Sequence, residues 1–116
     1  MRLLSSVIIV PEMGTMWSGM RVISLRALRE FWEIHPSAGE PLRAWYAIAS
    51  RAHWTNPADI KAAYRSASFL PGNRVVFNIK GNSYRLIVAI HYDRQFLYIR
   101  FVSTHAEYDR IDASTI

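Results

Sequence analysis

The sequence predicts a single α+β domain: an N-terminal strand and helices packed on a small, mainly antiparallel sheet, with a short C-terminal helix. Apolar residues recur at helical spacing in the first half of the chain, and after residue 73 they alternate with polar residues as in strands. The chain has 116 residues, of which 51% are hydrophobic, so it is long enough to bury one core.

The residues from 20 onward predict a short strand followed by three helices. Residues 20–24 form the strand, and Ser24 is expected to cap the first helix. Pro36 ends that helix, Pro41 begins the second, and Asn56-Pro57 caps and begins the third. The apolar stripes of the helices favour burial in the core over a ligand-binding platform. They comprise Leu25, Leu28, Phe31 and Trp32, then Leu42, Trp45, Tyr46 and Ala49, then Ile60 and Tyr64.

The second half of the chain predicts a loop, three strands and a final helix. Residues 66–73 are expected to form the loop, and the strands follow at 74–80, 83–92 and 95–102. Gly81-Asn82 is a strong two-residue hairpin signal, whereas Asp93-Arg94 is a weaker one. The run Thr104-His105-Ala106-Glu107 matches a capping box and opens the C-terminal helix.

Two tight turns would fix the register of the three strands. The first turn places Phe77 opposite Leu86 and Asn78 opposite Arg85, and the second places Val88 opposite Ile99 and Ile87 opposite Arg100. This register gathers one apolar set on the helix-covered face: Val75, Phe77, Ile79, Leu86, Val88, Ile90, Leu97, Ile99 and Phe101.

The opposite side of the sheet, here called the outer face, is expected to be open and basic. Arg85 would lie opposite Val102 and diagonal to Arg100, at roughly 7–8 Å, close enough for both side chains to grip one phosphate. His105 and Tyr108 follow at the end of the strand that carries Arg100. The polar and aromatic side chains assigned to the outer face are Arg74, Asn78, Lys80, Arg85, His91, Tyr98 and Arg100. A lysine beside a turn, such as Lys80, is more often an ordinary surface charge.

The charge balance indicates a polyanionic partner or, equally, ordinary solubility charge. The net charge is +5 and the sequence pI is about 10.0, and the only lysines are Lys61 and Lys80, so the other basic residues are arginines. Arginine offers a planar fork of donors that suits phosphate.

Several classes of site and location are disfavoured by composition. Cysteine is absent, which excludes disulfides, thiolate nucleophiles and Cys-ligated zinc. The four histidines are dispersed and no Gly-rich phosphate loop is present, so we expect no metal site and no cofactor. A Ser/His/Asp triad stays open, although nothing marks a nucleophile. No apolar run approaches the roughly 20 residues that span a bilayer, so we expect a cytoplasmic protein without a membrane partner.

Residues 1–19 differ from the rest. Arg2 precedes a short apolar run, which weakly resembles a signal peptide. Met20 begins the first predicted strand, and we therefore favour an N-terminal extension or a mis-called start codon over a working signal. The folded domain is expected to span residues 20–116.

RNA cleavage without a metal ion needs cations around the phosphate, a base for the ribose 2′-OH and an acid for the leaving 5′-oxygen. Arg85 and Arg100 suit the cation role, and His105 suits acid or base chemistry. The alternative for His105 is a plain first-turn residue of the C-terminal helix. Tyr108 has the chemistry to donate a proton or to stack on a base. From the residues alone, the interpretation stops at a basic α+β domain with an RNA- or phosphate-binding face.

Four segments resemble the HigB family of toxins. Two of them lie in the second half of the chain. Arg74–Arg85 contains the run Phe-Asn-Ile-Lys-Gly-Asn-Ser-Tyr-Arg, and Tyr98–Asp109 contains the run Ile-Arg-Phe-Val-Ser-Thr-His-Ala-Glu-Tyr-Asp. The other two are the helical segments Leu25–Trp32 and Pro41–Tyr46. The resemblance spans residues 20–113, and the N-terminal extension departs from it. It implies a RelE-like fold and the toxin of a type II toxin–antitoxin system.

The same resemblance implies a ribosome-dependent messenger RNA endoribonuclease, silenced in a hetero-oligomer by a HigA-type antitoxin with a helix-turn-helix. It assigns catalysis to Arg85, Arg100, His105 and Tyr108. We assign RNA binding to the other side chains of the outer face, Arg74, Asn78, Lys80, His91 and Tyr98, and expect no metal ligand. The alternative is a non-catalytic RNA- or antitoxin-binding module, which would be a degenerate toxin.

Overall fold

The computed structural model describes residues 19–116, so the interpretation of residues 1–18 as an extension lies outside the described part of the chain. The strands are β1 (Arg21–Ile23), β2 (Ser68–Leu70), β3 (Arg74–Ile79), β4 (Tyr84–His91) and β5 (Phe96–Thr104). The helices are α1 (Leu25–Ile34), α2 (Gly39–Arg51), α3 (Pro57–Ala63) and α4 (His105–Tyr108), and a 3₁₀ turn (Pro36–Ala38) joins α1 to α2.

The strands form one sheet in the order β1-β5-β4-β3-β2, in which only the β1–β5 pair is parallel. Because α1 to α3 come before most of the strands and pack against one side of the sheet, the predicted α+β architecture is confirmed.

The helix boundaries follow the predicted signals with two exceptions. One is α2, which begins at Gly39, two residues before Pro41, and the other is the cap of α1. Asn56 caps α3 by accepting a hydrogen bond from the Asp59 backbone N–H at 3.1 Å, as predicted. Ser24 occupies the residue before α1, but its side chain makes no capping hydrogen bond. Its backbone is left-handed, with φ of 73°, and only its carbonyl oxygen accepts from Ala27 N–H. The predicted side-chain cap at Ser24 is therefore wrong.

The helix stripes pack as core, as the burial argument predicted. Leu28, Leu42, Trp45 and Ile60 are buried, and the Trp45 ring lies edge-on to Phe77 of the sheet with centroids 5.4 Å apart. Tyr46 is the exception, because it lies at the margin of the α2 stripe and keeps 36% of its surface exposed. The prediction that Tyr46 joins the core is wrong.

The predicted loop 66–73 contains a short edge strand. Ser68–Leu70 pairs antiparallel with Arg74–Val76 across the Pro71-Gly72-Asn73 turn, where Gly72 and Asn73 have positive φ of 78° and 59°. A run of three residues is too short for an alternating pattern to emerge, so the sequence reading missed β2.

The β3–β4 hairpin has the predicted register. Phe77 pairs with Leu86 and Asn78 with Arg85, and the turn closes through a hydrogen bond from Ser83 N–H to the Lys80 carbonyl. Lys80 and Gly81 carry the positive φ values that a tight turn requires.

The β4–β5 register is interrupted by a bulge that the sequence reading missed. Val88 pairs with Ile99 as predicted, but Ile87 pairs with Phe101 rather than Arg100. Arg100 is the extra residue between these two pairs. An extra residue shifts the following side chains by one, so Phe101 turns to the outer face and Val102 to the core. The predicted core position of Phe101 is wrong.

The outer face is not open throughout. The segment after α4, residues 111–116, crosses its middle and is here called the C-terminal segment. Ala113 packs with Val76 and Ile87 into a second buried cluster, bordered by Leu70, Phe101, Tyr108, Ile111 and Ile116. The cluster divides the outer face into an end at the β3–β4 turn and an end at the β4–β5 turn. The prediction of a fully open face is therefore corrected.

Candidate active site

The candidate site is centred on Arg85 and lies at the end of the outer face near the β3–β4 turn. Arg85 is only 9% exposed, and its guanidinium makes no ion pair with any carboxylate among residues 19–116. Its acceptors are neutral: Nη2 donates to Asn82 Oδ1 at 2.7 Å and Nη1 donates to the Asn82 carbonyl at 3.2 Å. A buried arginine is normally paired, so a guanidinium held by neutral acceptors keeps a positive charge available to an incoming anion.

His105 completes this arrangement from the first turn of α4. Nη2 of Arg85 lies 2.9 Å from Nδ1 of His105, and Nε2 of His105 lies 3.1 Å from the Asp109 carboxylate. A guanidinium only donates, so Nδ1 must accept and carry no proton, while the carboxylate accepts from Nε2–H. The geometry assigns His105 to the neutral Nε2–H tautomer.

The ring of Tyr108 packs against the guanidinium of Arg85. The guanidinium carbon of Arg85 sits 5.5 Å from the Tyr108 ring centroid, within the range of a cation–π contact. The Tyr108 hydroxyl makes no hydrogen bond with any residue from 19 to 116, although its ring packs on the second buried cluster. The ring is therefore held in place, while the hydroxyl has no hydrogen-bond partner among the described residues.

The local fold explains why these side chains meet. Thr104 accepts from Glu107 N–H at 3.2 Å and Glu107 accepts from Thr104 N–H at 3.0 Å, so the predicted capping box is present. It starts α4 directly at the end of β5, which places His105 beside β4, and His105 N–H donates to the Ser83 carbonyl. Three of the four predicted catalytic residues are thereby brought together.

Arg100 does not join Arg85. Because of the bulge, Arg85 pairs with Ser103 instead of Val102, and Arg100 lies three positions further along β5, or roughly 10 Å. The predicted diagonal pair of Arg85 and Arg100 is wrong. Arg100 instead converges with Arg74: the Nε groups of both donate to the Ile116 backbone oxygen, at 3.4 Å and 3.0 Å respectively.

The remaining predicted residues fall into two groups. Asn78 neighbours Arg85 across the β3–β4 ladder, and Lys80 is exposed in the adjoining turn. His91 and Tyr98 lie at the opposite end of the outer face, near the β4–β5 turn. The predicted RNA-binding residues are thus distributed along the whole outer face and are not gathered into one pocket.

Sequence reasoning missed two residues of this site, Asn82 and Asp109. Asn82 was assigned only to the turn, yet its side chain and carbonyl fix the guanidinium three residues later. Asp109 stands four residues after His105, and that spacing on a helix puts the two side chains on one face. The spacing of His105 and Asp109 is therefore a signal that the sequence itself contains.

Two further findings concern the described part of the chain. Between residues 19 and 116, no group of three or more His, Asp or Glu side chains is placed to hold a metal ion. Of the helices described here, none has the length and apolar character needed to span a bilayer.

The arrangement has the components of general acid–base chemistry on a phosphate. A fixed cation, an imidazole with a defined lone pair and a phenol with a free hydroxyl lie together at one end of a sheet.

Comparison with known proteins identifies the family of the chain. Residues 38–111 match the model of the HigB toxin family, described as the RelE-like toxic component of a toxin–antitoxin system. The mRNA interferase toxin HigB of Escherichia coli K12 is 30% identical over 92 residues, which cover 78% of this chain and 88% of that protein. The mRNA interferase HigB of Escherichia coli O6:H1 is 23% identical over 94 residues, covering 79% of this chain and 91% of that protein. The chain therefore belongs to the HigB family of RelE-like toxins.

Proposed function

We propose that this chain is a messenger RNA endoribonuclease that cuts on the ribosome, without a metal ion, as the toxin of a toxin–antitoxin pair. The observation that carries the proposal is the buried Arg85, which has no carboxylate partner in the described chain and holds His105 and Tyr108 beside it. The relatives are mRNA interferases, which supports the same substrate class for this chain.

Arg85 supplies the charge that the reaction needs. A guanidinium already fixed by Asn82 loses little freedom on binding a phosphate, and it opposes the negative charge that builds on the non-bridging oxygens. Its planar fork suits two of those oxygens at once.

His105 acts as the base in this scheme. A phosphate oxygen that accepts from Nη2 of Arg85 replaces Nδ1 of His105 as its partner, which frees the Nδ1 lone pair. Nδ1 then takes the proton of the ribose 2′-OH as that oxygen attacks phosphorus. Asp109, on Nε2–H, stabilises the imidazolium that forms.

Tyr108 is the proposed acid. As the bond from phosphorus to the 5′-oxygen breaks, the Tyr108 hydroxyl gives its proton to that oxygen. The products are a 2′,3′-cyclic phosphate and a 5′-hydroxyl, so the bonds and protons balance without a metal-activated water. Stacking on a base is the other role that the ring allows.

Arg74 and Arg100 bind the RNA backbone in this proposal. Their two Nε groups already converge on one backbone oxygen, that of Ile116, and a phosphate oxygen in its place would be held in the same way. Asn78 and Lys80 contribute beside Arg85, and His91 and Tyr98 contribute at the far end.

The family implies an antitoxin partner. We propose that it is a HigA-type protein with a helix-turn-helix, bound in a toxin–antitoxin hetero-oligomer, and that the chain acts on ribosomes in the cytoplasm.

The experiment is cleavage of a defined messenger RNA by the purified chain, with and without ribosomes. We expect cuts only when the RNA is being read, ending in 2′,3′-cyclic phosphate. Ends bearing a 5′-phosphate would instead indicate a metal-activated water and would overturn the metal-free scheme. Tight binding of RNA or antitoxin without any cut would favour the degenerate toxin.

A further inference from the structure

Three aromatic rings form a contiguous group on the outer face at the β4–β5 turn, far from Arg85. The rings of His91 and Phe96 lie with centroids 4.5 Å apart, and Phe96 meets Tyr98 edge-on at 5.6 Å. His91 and Phe96 are half-buried, and Tyr98 keeps 37% of its surface exposed. His91, Phe96 and Tyr98 are here called the aromatic platform.

The surroundings of the platform carry mainly positive charge. Arg21 of β1 pairs in register with Phe96, and Arg74 lies in the same cross-strand row as Tyr98, through Ala89. Arg94 is exposed in the adjoining turn, where Asp93 is the one acidic residue. Aromatic rings interleaved with arginines match the way single-stranded nucleic acid is bound, by stacking of bases and attraction of phosphates.

The platform is well separated from Arg85. His91 stands six positions after Arg85 on β4, which corresponds to roughly 20 Å at about 3.3 Å per residue. The C-terminal segment crosses the face between the two ends. Nucleotides in a stacked strand rise about 3.4 Å each, so a strand joining the ends needs about six of them, and an extended strand needs fewer.

We propose that the aromatic platform binds an unpaired base of the messenger RNA several nucleotides away from the bond that Arg85 and His105 act upon. The inference rests on the proposed function, because it takes messenger RNA as the ligand. It adds Phe96 and Arg21 to the RNA-binding residues and divides the RNA contact into two separate subsites.

The test uses fluorescein-labelled oligoadenylates of two and eight nucleotides, titrated with the full chain. Phe96→Leu should weaken binding of the eight-mer about tenfold and leave the two-mer unchanged, because only the longer strand reaches both subsites. Phe96→Trp should retain binding. Phe69→Leu is the control, since Phe69 is a surface phenylalanine, 37% exposed, that pairs with Val75 and so lies on the other side of the sheet.

Other outcomes overturn the inference. Equal effects of Phe96→Leu and Phe69→Leu, or equal loss for both lengths, would make the platform a hairpin-stabilising cluster only. Loss of antitoxin binding with RNA binding intact would make it a protein interface. Loss of binding to ribosomes that carry no messenger RNA would assign the base to ribosomal RNA instead. If the eight-mer depends on Phe96 but programmed ribosomes yield no cleavage, the platform stands as an RNA subsite while the proposed catalytic function fails.

Discussion

Nη2 of Arg85 lies 2.9 Å from Nδ1 of His105, although one residue belongs to the interior of the sheet and the other to the first turn of the last helix. This contact is what turns two separate sequence candidates into one site. It also defines which nitrogen of His105 carries the proton, because the guanidinium has no lone pair to offer.

The first prediction concerns that tautomer. In the ligand-free protein at a pH where His105 is neutral, nitrogen chemical shifts should report the Nε2–H form. Asp109→Ala removes the acceptor of Nε2–H, so a measurable fraction of the molecules should adopt the Nδ1–H form and lose the hydrogen bond from Arg85 to Nδ1. A dominant Nδ1–H signal in the unsubstituted chain would contradict the assigned hydrogen bond.

The second prediction concerns Arg85. Arg85→Lys keeps the charge but loses the fork that contacts Asn82 and His105, so the cleavage rate should fall by roughly 10²–10³. Arg65→Lys is the matched control, because Arg65 is exposed in the turn after α3, belongs to neither proposed RNA subsite and should retain activity. Melting curves of both variants show whether the fold survives. Full activity of a folded Arg85→Lys protein would remove Arg85 from the mechanism.

The third prediction concerns Arg74 and Arg100. Each substitution by alanine should lower the slope of log affinity for single-stranded RNA against log salt by about 0.7, because one phosphate contact is lost. The effect should be the same for different RNA sequences. Arg26→Ala is the control, since Arg26 lies on α1 and pairs with Glu30. An unchanged slope in both variants would show that neither arginine meets a phosphate.

The fourth prediction concerns the bulge. Deleting Arg100 removes the extra residue, so Ile99 and Phe101 keep their present faces. The free energy of unfolding should therefore fall by no more than about 1 kcal/mol. Deleting Ile99 instead brings Arg100 toward the core and should destabilise the protein by at least about 2 kcal/mol. Urea unfolding of the two deletion variants measures this difference. Equal losses would mean that Arg100 is not the inserted residue.

Much of the fold follows from local patterns in the sequence. The Asn56 cap, the Thr104–Glu107 capping box and the Gly81 turn each specify their own element within a few residues, and all three were predicted. The bulge at Arg100 has no such local signal, because Leu97, Ile99 and Phe101 follow one another at intervals of two residues. This is the alternation of a regular strand without a bulge. Its consequence is large, since every residue after it changes face.

The site was predictable in its residue types but not in its pairings. Arg85, His105 and Tyr108 meet because α4 begins where β5 ends, which the capping box indicates. The convergence of Arg100 on Arg74, and the cover over Val76 and Ile87, depend on how residues 111–116 fold back over the sheet. Contacts between residues so far apart in the sequence produce no periodic pattern of apolar residues from which they could be predicted.

The central claim is that the Arg85–His105 end of the sheet cuts messenger RNA during translation. The most direct measurement maps new RNA 5′ ends in cells that express the chain without antitoxin, with translation running and with initiation blocked. We expect new ends within translated codons that disappear when initiation is blocked and when His105 is replaced by alanine in a folded protein. Ends that persist on untranslated RNA, or that survive His105→Ala unchanged, would contradict it.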